Sequence, residues 1–298
     1  MSSDLLGVRT FDASRWTLHD ALDAKADTTI SVCMPCKNEQ KTVGQIVSAI
    51  RTNLVDRCGL VDEIIVLDDR SDDRTAEVAR SEGATVVHVD DMLGTAMPGH
   101  GKGNVLWSTL LASKGDLVVW CDADLTSFTP DWITKLVAPL LTDPTIGLVK
   151  AFYERPTDIA GQGGGRTTEL AARPLLSLLY PELALLAQPL AGEVAGRRSV
   201  LESLTFVQGW GVEVAVLVDV LEKYGVSAIA QVDLGVRKHR HRPLDELSVQ
   251  AAEIALTLLL RSGSVHLGDV ERVLRRPDGS VVRLNVDSRP AVSSLASL

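Results

Sequence analysis

Two aspartates, Asp122 and Asp124, stand one residue apart directly after the apolar run of residues 117–121. Carboxylates at the end of a buried strand cost free energy unless a cation faces them. Because alternate side chains of an extended segment point to opposite sides, the two aspartates are not expected to share one ion symmetrically. A hard divalent ion such as Mg²⁺ or Mn²⁺ takes few protein ligands and completes its shell with phosphate oxygens and water. The pair therefore favours a nucleoside-diphosphate–metal site, although an aspartate that only caps the following turn would give the same pattern.

Further polar residues follow the neighbouring strands. Glu39 closes "PCKNE", and Asp68 and Asp69 lie in "LDDRSDDRT", where each could accept a hydrogen bond from a base or a sugar. The alternative role for Glu39 is a charge that stabilises the start of a helix. Lys102 stands between glycines in "PGHGKGN", where glycine lets the backbone approach a phosphate and lysine adds a point charge. The segment lacks the spacing of a P-loop, so we exclude that motif.

Apolar strands alternate with amphipathic helices over residues 28–155. The strands are continuous apolar runs, which is typical of a mostly parallel sheet with helices on both faces. Ligands of such sheets bind beyond the carboxyl ends of the strands, and the polar residues lie there. The pattern therefore predicts an α/β fold with its site at that edge.

The chain changes character after about residue 155. A glycine-rich stretch, "DIAGQGGGRTTEL", leads into helices, and a strand, "AIAQVDLGV", leads into the basic "RKHRHRP". A hairpin is expected to turn at residues 277–279. Without an internal repeat or a long linker, we expect one continuous unit. It comprises an arm on the surface (1–27), a nucleotide half (28–155) and an acceptor half (156–298).

The composition is that of an ordinary soluble globular protein, with 45% hydrophobic and 23% charged residues. The net charge of −9 argues against a nucleic-acid partner, since proteins that follow a phosphate backbone are usually basic. No apolar run approaches the roughly 20 residues of a membrane helix, and no signal peptide is recognisable. The four cysteines lack the spacing of a zinc site. We expect a cytoplasmic protein with reduced cysteines and no membrane span.

Several segments together resemble the retaining glycosyltransferases of the glucosyl-3-phosphoglycerate synthase family, to which the mannosyl-3-phosphoglycerate synthases are related. These segments are "ISVCMPCKNE", "VDEIIVLDDRSDDRT", "PGHGKGNVLW", "VVWCDAD", "GGGRTTELAARPLL", "GWGVEVAVLVD", "AIAQVDLGVRKHRHRPL" and "SRPAVSSL". The likeness runs from about residue 10 to the C-terminus. It implies a GT-A fold with a C-terminal acceptor-binding region, a nucleotide-sugar donor, a divalent ion (Mg²⁺ or Mn²⁺), 3-phosphoglycerate as the acceptor, and a homodimer.

The resemblance also assigns roles to single residues. The metal would be held by Asp124, which thereby serves catalysis, and by His239. The transferred sugar would lie near Glu213, the second candidate catalytic residue. The sugar donor would be bound by Pro35, Asn38, Glu39, Asp69, Lys102, Asp122 and Ala123. The acceptor would be bound by Gly165, Arg166, Thr168 and His241. The "GGGR" stretch fits its role, because a glycine loop entering a helix offers free N–H groups beside a guanidinium fork, although an incidental surface loop would look the same.

The chain departs from the family pattern at three places. Cys36 and Lys37 stand where the family commonly has leucine, Asp69 replaces a serine, and His241 replaces an asparagine. The first two places line the nucleotide pocket, so the base (uracil or guanine) and the sugar (glucose or mannose) stay open at this point.

The favoured reaction is transfer of glucose from UDP-glucose to the 2-hydroxyl of 3-phosphoglycerate. The alternatives are a mannosyl-3-phosphoglycerate synthase that uses GDP-mannose, a nucleotidyltransferase, and a binding protein without activity. A nucleotidyltransferase would show a basic glycine-rich segment after the first strand, and "CKNEQKT" has no glycine. Retention of Asp122, Asp124 and His239 argues against a protein without activity.

Overall fold

The computed structural model of the chain describes residues 7–92, 97–154, 165–237 and 244–297, with side chains up to 295. The strands are β1 (Arg9–Phe11), β2 (Ile30–Cys36), β3 (Glu63–Asp68), β4 (Thr85–His88), β5 (Leu117–Trp120), β6 (Leu148–Glu154), β7 (Val194–Arg197), β8 (Phe206–Val207), β9 (Ile229–Val236), β10 (Val273–Arg275), β11 (Val281–Arg283) and β12 (Ser288–Arg289). The helices are α1 (Leu18–Lys25), α2 (Val43–Ile50), α3 (Thr75–Ser81), α4 (Lys102–Ala112), α5 (Asp131–Thr142), α6 (Arg173–Leu179), α7 (Arg198–Leu201), α8 (Val212–Tyr224) and α9 (Leu244–Arg261).

Eight of these strands form one central sheet in the order β1-β9-β6-β7-β5-β2-β3-β4. All neighbours are parallel except β7, which runs antiparallel to both β5 and β6. The expectation of a mostly parallel sheet is therefore confirmed. The antiparallel β7 is inserted between two strands of the N-terminal half, and it brings residues 191–193, which precede it, to the carboxyl end of β5.

Both faces of the sheet are covered, as continuous apolar strands require. Val119 of β5 packs in one core with Ile46 of α2 and Ile133 of α5. Val118, its neighbour in the strand, points to the other core, where Trp107 of α4 lies. This alternation explains why the strand is apolar at every position.

The N-terminal segment is more than the arm on the surface that the sequence predicts. Within the described residues of that segment, β1 extends the sheet by pairing with β9 in parallel. Thr17 and Asp20 form a reciprocal capping box that starts α1, and the side chain of Trp16 is buried. The division at residues 27 and 155 stays a prediction, although strands from both proposed halves share one sheet.

The C-terminal segment packs onto α4, the helix that begins at Lys102. Arg289 of β12 is buried and donates two hydrogen bonds to Oδ1 of Asn104, at 2.7 Å from Nε and 2.5 Å from Nη2. Its guanidinium lies 5.0 Å from the ring centre of Trp107, whose indole donates to the carbonyl of Pro290 at 2.8 Å. The expected hairpin is present, since β10 pairs antiparallel with β11 and Gly279 takes a φ of +83° in the turn. No helix in the described part of the chain is long and apolar enough to cross a membrane.

Candidate active site

The two aspartates after β5 are faced by cations of the protein itself. Asp122 Oδ1 lies 3.2 Å from Nζ of Lys102, and its Oδ2 accepts from Nη2 of Arg237 at 2.9 Å. Burial raises the pKa of Asp122, but the charges of Lys102 and Arg237 outweigh burial and hold the pKa at about 2. The side chain of Asp124 is about 30% exposed, and its Oδ1 lies 3.7 Å from Arg237. The two neighbours therefore differ in environment, which supports different roles for them.

Arg237 joins three carboxylates, and sequence reasoning did not select it. It directly follows β9, and its buried Nη2 lies 3.1 Å from the carboxylate of Glu193 in addition to the aspartates. Its guanidinium also lies 5.2 Å from the ring centre of Tyr153. Burial lowers the pKa of Arg237, but Glu193, Tyr153 and the aspartates raise it further above its usual range. The sequence feature that could have identified Arg237 is its position directly after a mostly apolar strand.

Glu193 is a second site residue that the sequence analysis missed. Among the described residues, neither of its buried carboxylate oxygens accepts a well-aligned hydrogen bond, so its contact with Arg237 is an ion pair. Burial raises the pKa of Glu193, and Arg237 partly offsets that effect. The carboxylate therefore depends on Arg237 for its stability in the core.

Lys102 brings Glu213 into the same cluster. Its Nζ lies 2.8 Å from Oε1 of Glu213, which stands in the first turn of α8 and is buried. Burial lowers the pKa of Lys102, but Asp122 and Glu213 outweigh burial and raise it above its usual range. The structure thus unites Asp122, Lys102 and Glu213, which are more than a hundred residues apart at their extremes in the sequence.

The start of α4, where Lys102 stands between glycines, packs closely against residues 207 and 208. The N–H groups of Gly103 and Asn104 at the start of α4 both donate to the carbonyl of Gln208, at 2.8 and 3.2 Å. A Cβ on Gly103 would lie 1.8 Å from the carbonyl oxygen of Val207. Two N–H groups of the helix terminus are therefore already used, and the role of this segment in binding a phosphate stays a prediction.

The residues proposed for the nucleotide lie at the ends of β2 and β3. Pro35 is the penultimate residue of β2, and Asn38 adopts a φ of +59° after it. The side chain of Asn38 accepts from the N–H of Asp72 at 3.0 Å, and the N–H of Glu39 donates to the hydroxyl of Thr75 at 2.8 Å. The side chain of Asn38 therefore fixes the loop that would line a nucleotide pocket.

Two of the departures from the family pattern are neighbours in space. Asp69 forms an ion pair with Arg70 at 2.8 Å, and Lys37 approaches the same carboxylate at 3.9 Å. Asp68, the alternative to Asp69, is nearly fully buried against His88 at 3.1 Å. Asp69 is thus the more accessible of the two. Ala123, between the two aspartates of the first motif, is buried.

The acceptor side of the predicted site is only partly described. Gly165 has a φ of +94° and its carbonyl accepts from the N–H of Glu169 at 2.9 Å, which starts a helical turn containing Thr168. Arg166 is exposed on this turn, whereas Thr168 is buried. His239 and His241 lie outside the described residues. The roles of these residues remain predictions.

The chemistry of the described side chains fits a hard divalent ion. Within residues 7–92, 97–154, 165–237 and 244–297, no group of three or more potential ligands is assembled. Both oxygens of Asp122 are engaged by cations, whereas the side chain of Asp124 is about 30% exposed. One protein carboxylate suits Mg²⁺ or Mn²⁺, which draw most of their ligands from diphosphate and water.

Comparison with known proteins decides the family. The family model described as Glycosyl transferase family 2 matches residues 31–204. Glucosyl-3-phosphoglycerate synthase of Mycolicibacterium smegmatis is 48% identical over 252 residues, which cover 83% of this chain and 82% of that protein. The chain belongs to the glucosyl-3-phosphoglycerate synthase family.

Solved structures of this family have the same fold along nearly the whole chain. The enzyme from Mycobacterium tuberculosis, in complex with Mn²⁺, UDP-glucose and phosphoglyceric acid, matches with a TM-score of 0.87 and 42% identity, over 97% of this chain and 99% of that one. Its complex with Mg²⁺ and UDP matches with a TM-score of 0.86 and 41% identity over the same shares. The predicted family and its GT-A fold are confirmed.

Proposed function

We propose that this chain transfers glucose from UDP-glucose to 3-phosphoglycerate, giving glucosyl-3-phosphoglycerate, with a divalent metal ion bound. The observation that carries this proposal is the likeness, over nearly the full chain, to a family member that binds Mn²⁺, UDP-glucose and phosphoglyceric acid together. The cluster around Asp122 supports it, since fixed cations and carboxylates meet there at the carboxyl end of β5.

The sugar donor would be held by residues at the ends of β2, β3 and β5. Asp122 would accept from a hydroxyl of the donor, because a carboxylate with a pKa of about 2 is ionised at any working pH. Lys102 would contact the diphosphate or the sugar. The remaining contacts to the nucleotide would come from Pro35, Asn38, Glu39, Asp69 and Ala123.

The metal would be held by Asp124 together with His239. When bound, Mg²⁺ or Mn²⁺ neutralises charge on the departing diphosphate. The ammonium of Lys102 would help to neutralise the same diphosphate, since it stands in this site, 3.2 Å from Asp122.

The acceptor would be bound by Gly165, Arg166, Thr168 and His241 and would react through its 2-hydroxyl. Arg166 would supply the charge-assisted contact to its phosphate or carboxylate, which orients the hydroxyl.

Retention of the α configuration is part of the proposal. Glu213 is a poor general base as placed, because Lys102 forms an ion pair with it at 2.8 Å. A front-face attack, in which the departing phosphate accepts the proton of the hydroxyl, needs no base behind the sugar. Glu213 would then face the positive charge that develops on the sugar.

An activity panel tests the function. Release of nucleoside diphosphate is measured for UDP-glucose, GDP-glucose and GDP-mannose, each with and without 3-phosphoglycerate, and the product is examined by proton NMR. We expect UDP-glucose to be used fastest, release to require the acceptor, and the anomeric signal to be α. Faster use of GDP-mannose would favour the mannosyl alternative, release of pyrophosphate would favour a nucleotidyltransferase, and a β product would contradict retention.

The family membership also leads us to propose a cytoplasmic homodimer. Light scattering on the purified protein would check the dimer, and a mass equal to that of one chain, 32.0 kDa, would contradict it.

A further inference from the structure

Lys150 is a lysine buried within the central sheet. It lies on β6, opposite Val194 of β7 and Gln231 of β9, and is 2% exposed. Removing an ammonium group from water is costly unless nearby groups compensate for the lost hydration. Packing alone would be served better by an apolar side chain, so the position calls for another explanation.

Two features of its surroundings link Lys150 to the active site. Its Nζ donates to the carbonyl of Ala191 at 2.5 Å. Together with Glu213 and Gly192, it lines a small cavity of about 10 Å³ that is otherwise apolar and has room for about one water molecule. Among the described residues, Lys150 forms no ion pair, so it acts on the site through the Ala191 carbonyl and through its charge.

The segment held by this hydrogen bond supports the carboxylates of the site. A Cβ on Gly192 would lie 2.2 Å from Oδ2 of Asp122, so the backbone of residue 192 rests against that carboxylate. The next residue, Glu193, pairs with Arg237, and its carbonyl accepts from the N–H of Ala151 at 3.0 Å. Residues 191–193 are therefore fixed from β6 on one side and touch Asp122 and Arg237 on the other.

The remaining cations of the cluster already have partners. Lys102 bridges Asp122 and Glu213, and Arg237 is shared by Asp122, Glu193 and Asp124. If Lys102 turns to a diphosphate, Glu213 loses the ammonium that faces it at 2.8 Å. Lys150 is enclosed and cannot follow a ligand, so its charge stays beside Glu213.

We propose that Lys150 is a positioning residue for the transfer reaction: it holds residues 191–193 against Asp122 and remains the cation beside Glu213 when Lys102 turns to the diphosphate. This inference rests on the function proposed above. It predicts that Lys150 affects the rate of transfer more than the affinity for the sugar donor, since no contact with the donor is required of it.

Charged groups approach Lys150 from four sides. They are Lys102 of α4, Asp122 after β5, Glu193 before β7 and Glu213 of α8, whereas β9 offers the neutral Gln231. Burial lowers the pKa of Lys150 to about 8, although the carboxylates oppose that effect. The ammonium is therefore present at neutral pH and lost in mild alkali, which supplies a readout that packing alone would not give.

The test compares Lys150→Met, which keeps the apolar stem and removes the ammonium, with Lys135→Met as a matched control. Lys135 pairs with Asp131 within α5, at 2.5 Å. For both, kcat and KM are measured with UDP-glucose and 3-phosphoglycerate, and the affinity for UDP with Mn²⁺ is measured by calorimetry. We expect Lys150→Met to lower kcat about ten- to a hundredfold, as loss of a charged hydrogen-bonding group does, with UDP affinity within about threefold. Lys135→Met should match the wild type.

A third variant, Lys150→Arg, keeps a charge that persists in alkali. The wild type should lose kcat above about pH 8, and Lys150→Arg should not. If Lys150→Met fails to fold, the comparison of the wild type with Lys150→Arg still tests the inference. A kcat of Lys150→Met equal to that of the control, an equal loss of UDP affinity, or a wild-type rate flat from about pH 7 to 10 would overturn the inference. A wild type without turnover on these substrates would refute the proposed function, and this inference with it.

Discussion

Among single residues, the two aspartates after β5 are distinguished by what surrounds them. Asp122 is neutralised on both oxygens by Lys102 and Arg237, whereas the side chain of Asp124 is about 30% exposed and its Oδ1 lies 3.7 Å from Arg237. At Asp122 a metal ion would compete with two cations, each of which contacts a different carboxylate oxygen. The division of roles that the sequence left open is thus supported by electrostatics.

We expect Asp124→Asn to remove activity that depends on metal and to weaken Mn²⁺ binding in the presence of UDP. The reason is that an amide oxygen carries no net charge for a hard cation. Electron paramagnetic resonance of bound Mn²⁺ and turnover of UDP-glucose would measure both effects. Asp131→Asn on α5 is the control, and excess chelator should reproduce the loss in the wild type. Full activity in chelator would contradict the metal site.

We expect Arg166→Ala to impair binding of the acceptor and to spare the sugar donor. A lost charge-assisted hydrogen bond is worth about 1.5–3 kcal/mol, or roughly ten- to a hundredfold in affinity. The KM values for 3-phosphoglycerate and UDP-glucose would be compared, with Arg74→Ala as a control because Arg74 pairs with Glu77 on α3. A raised KM for UDP-glucose beside an unchanged KM for 3-phosphoglycerate would place Arg166 at the donor.

The titration of Lys150 should also be visible in stability. Burial lowers its pKa from 10.5 to about 8 in the folded protein. Between these pH values the unfolded chain retains a proton that the folded chain has released, so raising the pH favours the folded state. Relative to Lys150→Met, the free energy of unfolding of the metal-free wild type should therefore rise from pH 8 towards 10.5. Urea denaturation of both proteins at several pH values measures it, and a constant difference would contradict the assigned pKa.

At the scale of the elements, α4 is set in place by contacts that tolerate no side chain at residue 103. Its first N–H groups donate to Gln208, and Gly103 lies against the carbonyl of Val207. This arrangement fixes the start of the helix and, with it, Lys102. Glycine is required here by close approach to another backbone.

We expect Gly103→Ala to destabilise the protein by about 1–3 kcal/mol, the usual cost of overpacking. Alanine is the better helix former by about 1 kcal/mol, but a Cβ at 1.8 Å from the Val207 carbonyl outweighs that gain. Because Lys102 would move, kcat should fall as well. Gly268→Ala is the control, since a Cβ there meets nothing within 4 Å. Urea denaturation would measure the free energy of unfolding. A Gly103→Ala variant more stable than the wild type would show that the helix propensity of alanine outweighs the close contact with Val207.

The elements also explain what the sequence could predict. The continuous apolar runs of β2, β3 and β5 predicted the sheet, the polar residues after β5 pointed to Asp122 and Asp124, and the glycines of "PGHGKGN" pointed to Lys102. Arg237, Glu193 and Lys150 were missed because they become neighbours of Asp122 only when β7 and β9 join the sheet from far along the chain. The strand β1 was missed because it has only three residues, two of them polar, and so shows no recognisable pattern of apolar residues.

Over the whole molecule, residues 285–290 of the C-terminal segment hold α4 and the loop before it in place, and we call this segment the clasp. Arg289 fills the space between Asn104, Trp107 and Gly99, where a Cβ on Gly99 would lie 2.1 Å from Nη2 of Arg289. Such a buried, well-satisfied arginine is costly to truncate, because its partner oxygen on Asn104 would lose two hydrogen bonds.

We expect Arg289→Ala to cost about 1–3 kcal/mol of folding free energy and to lower donor affinity through α4. Arg283→Ala on the exposed edge of β11 is the control. Thermal unfolding and calorimetry with UDP would measure the two effects. Unchanged UDP affinity in a destabilised Arg289→Ala would mean that the clasp serves stability alone.

The clasp has a consequence for the order of events during synthesis on the ribosome. The strands of the central sheet end at residue 236, but some of the contacts that fix α4 and the loop before it come from residues 285–290. A nascent chain can therefore assemble its sheet while Lys102 and its helix still lack their final support. If Arg289→Ala lowers the affinity for UDP, we expect a nascent chain to gain its full affinity for the sugar nucleotide only after Arg289 has left the exit tunnel.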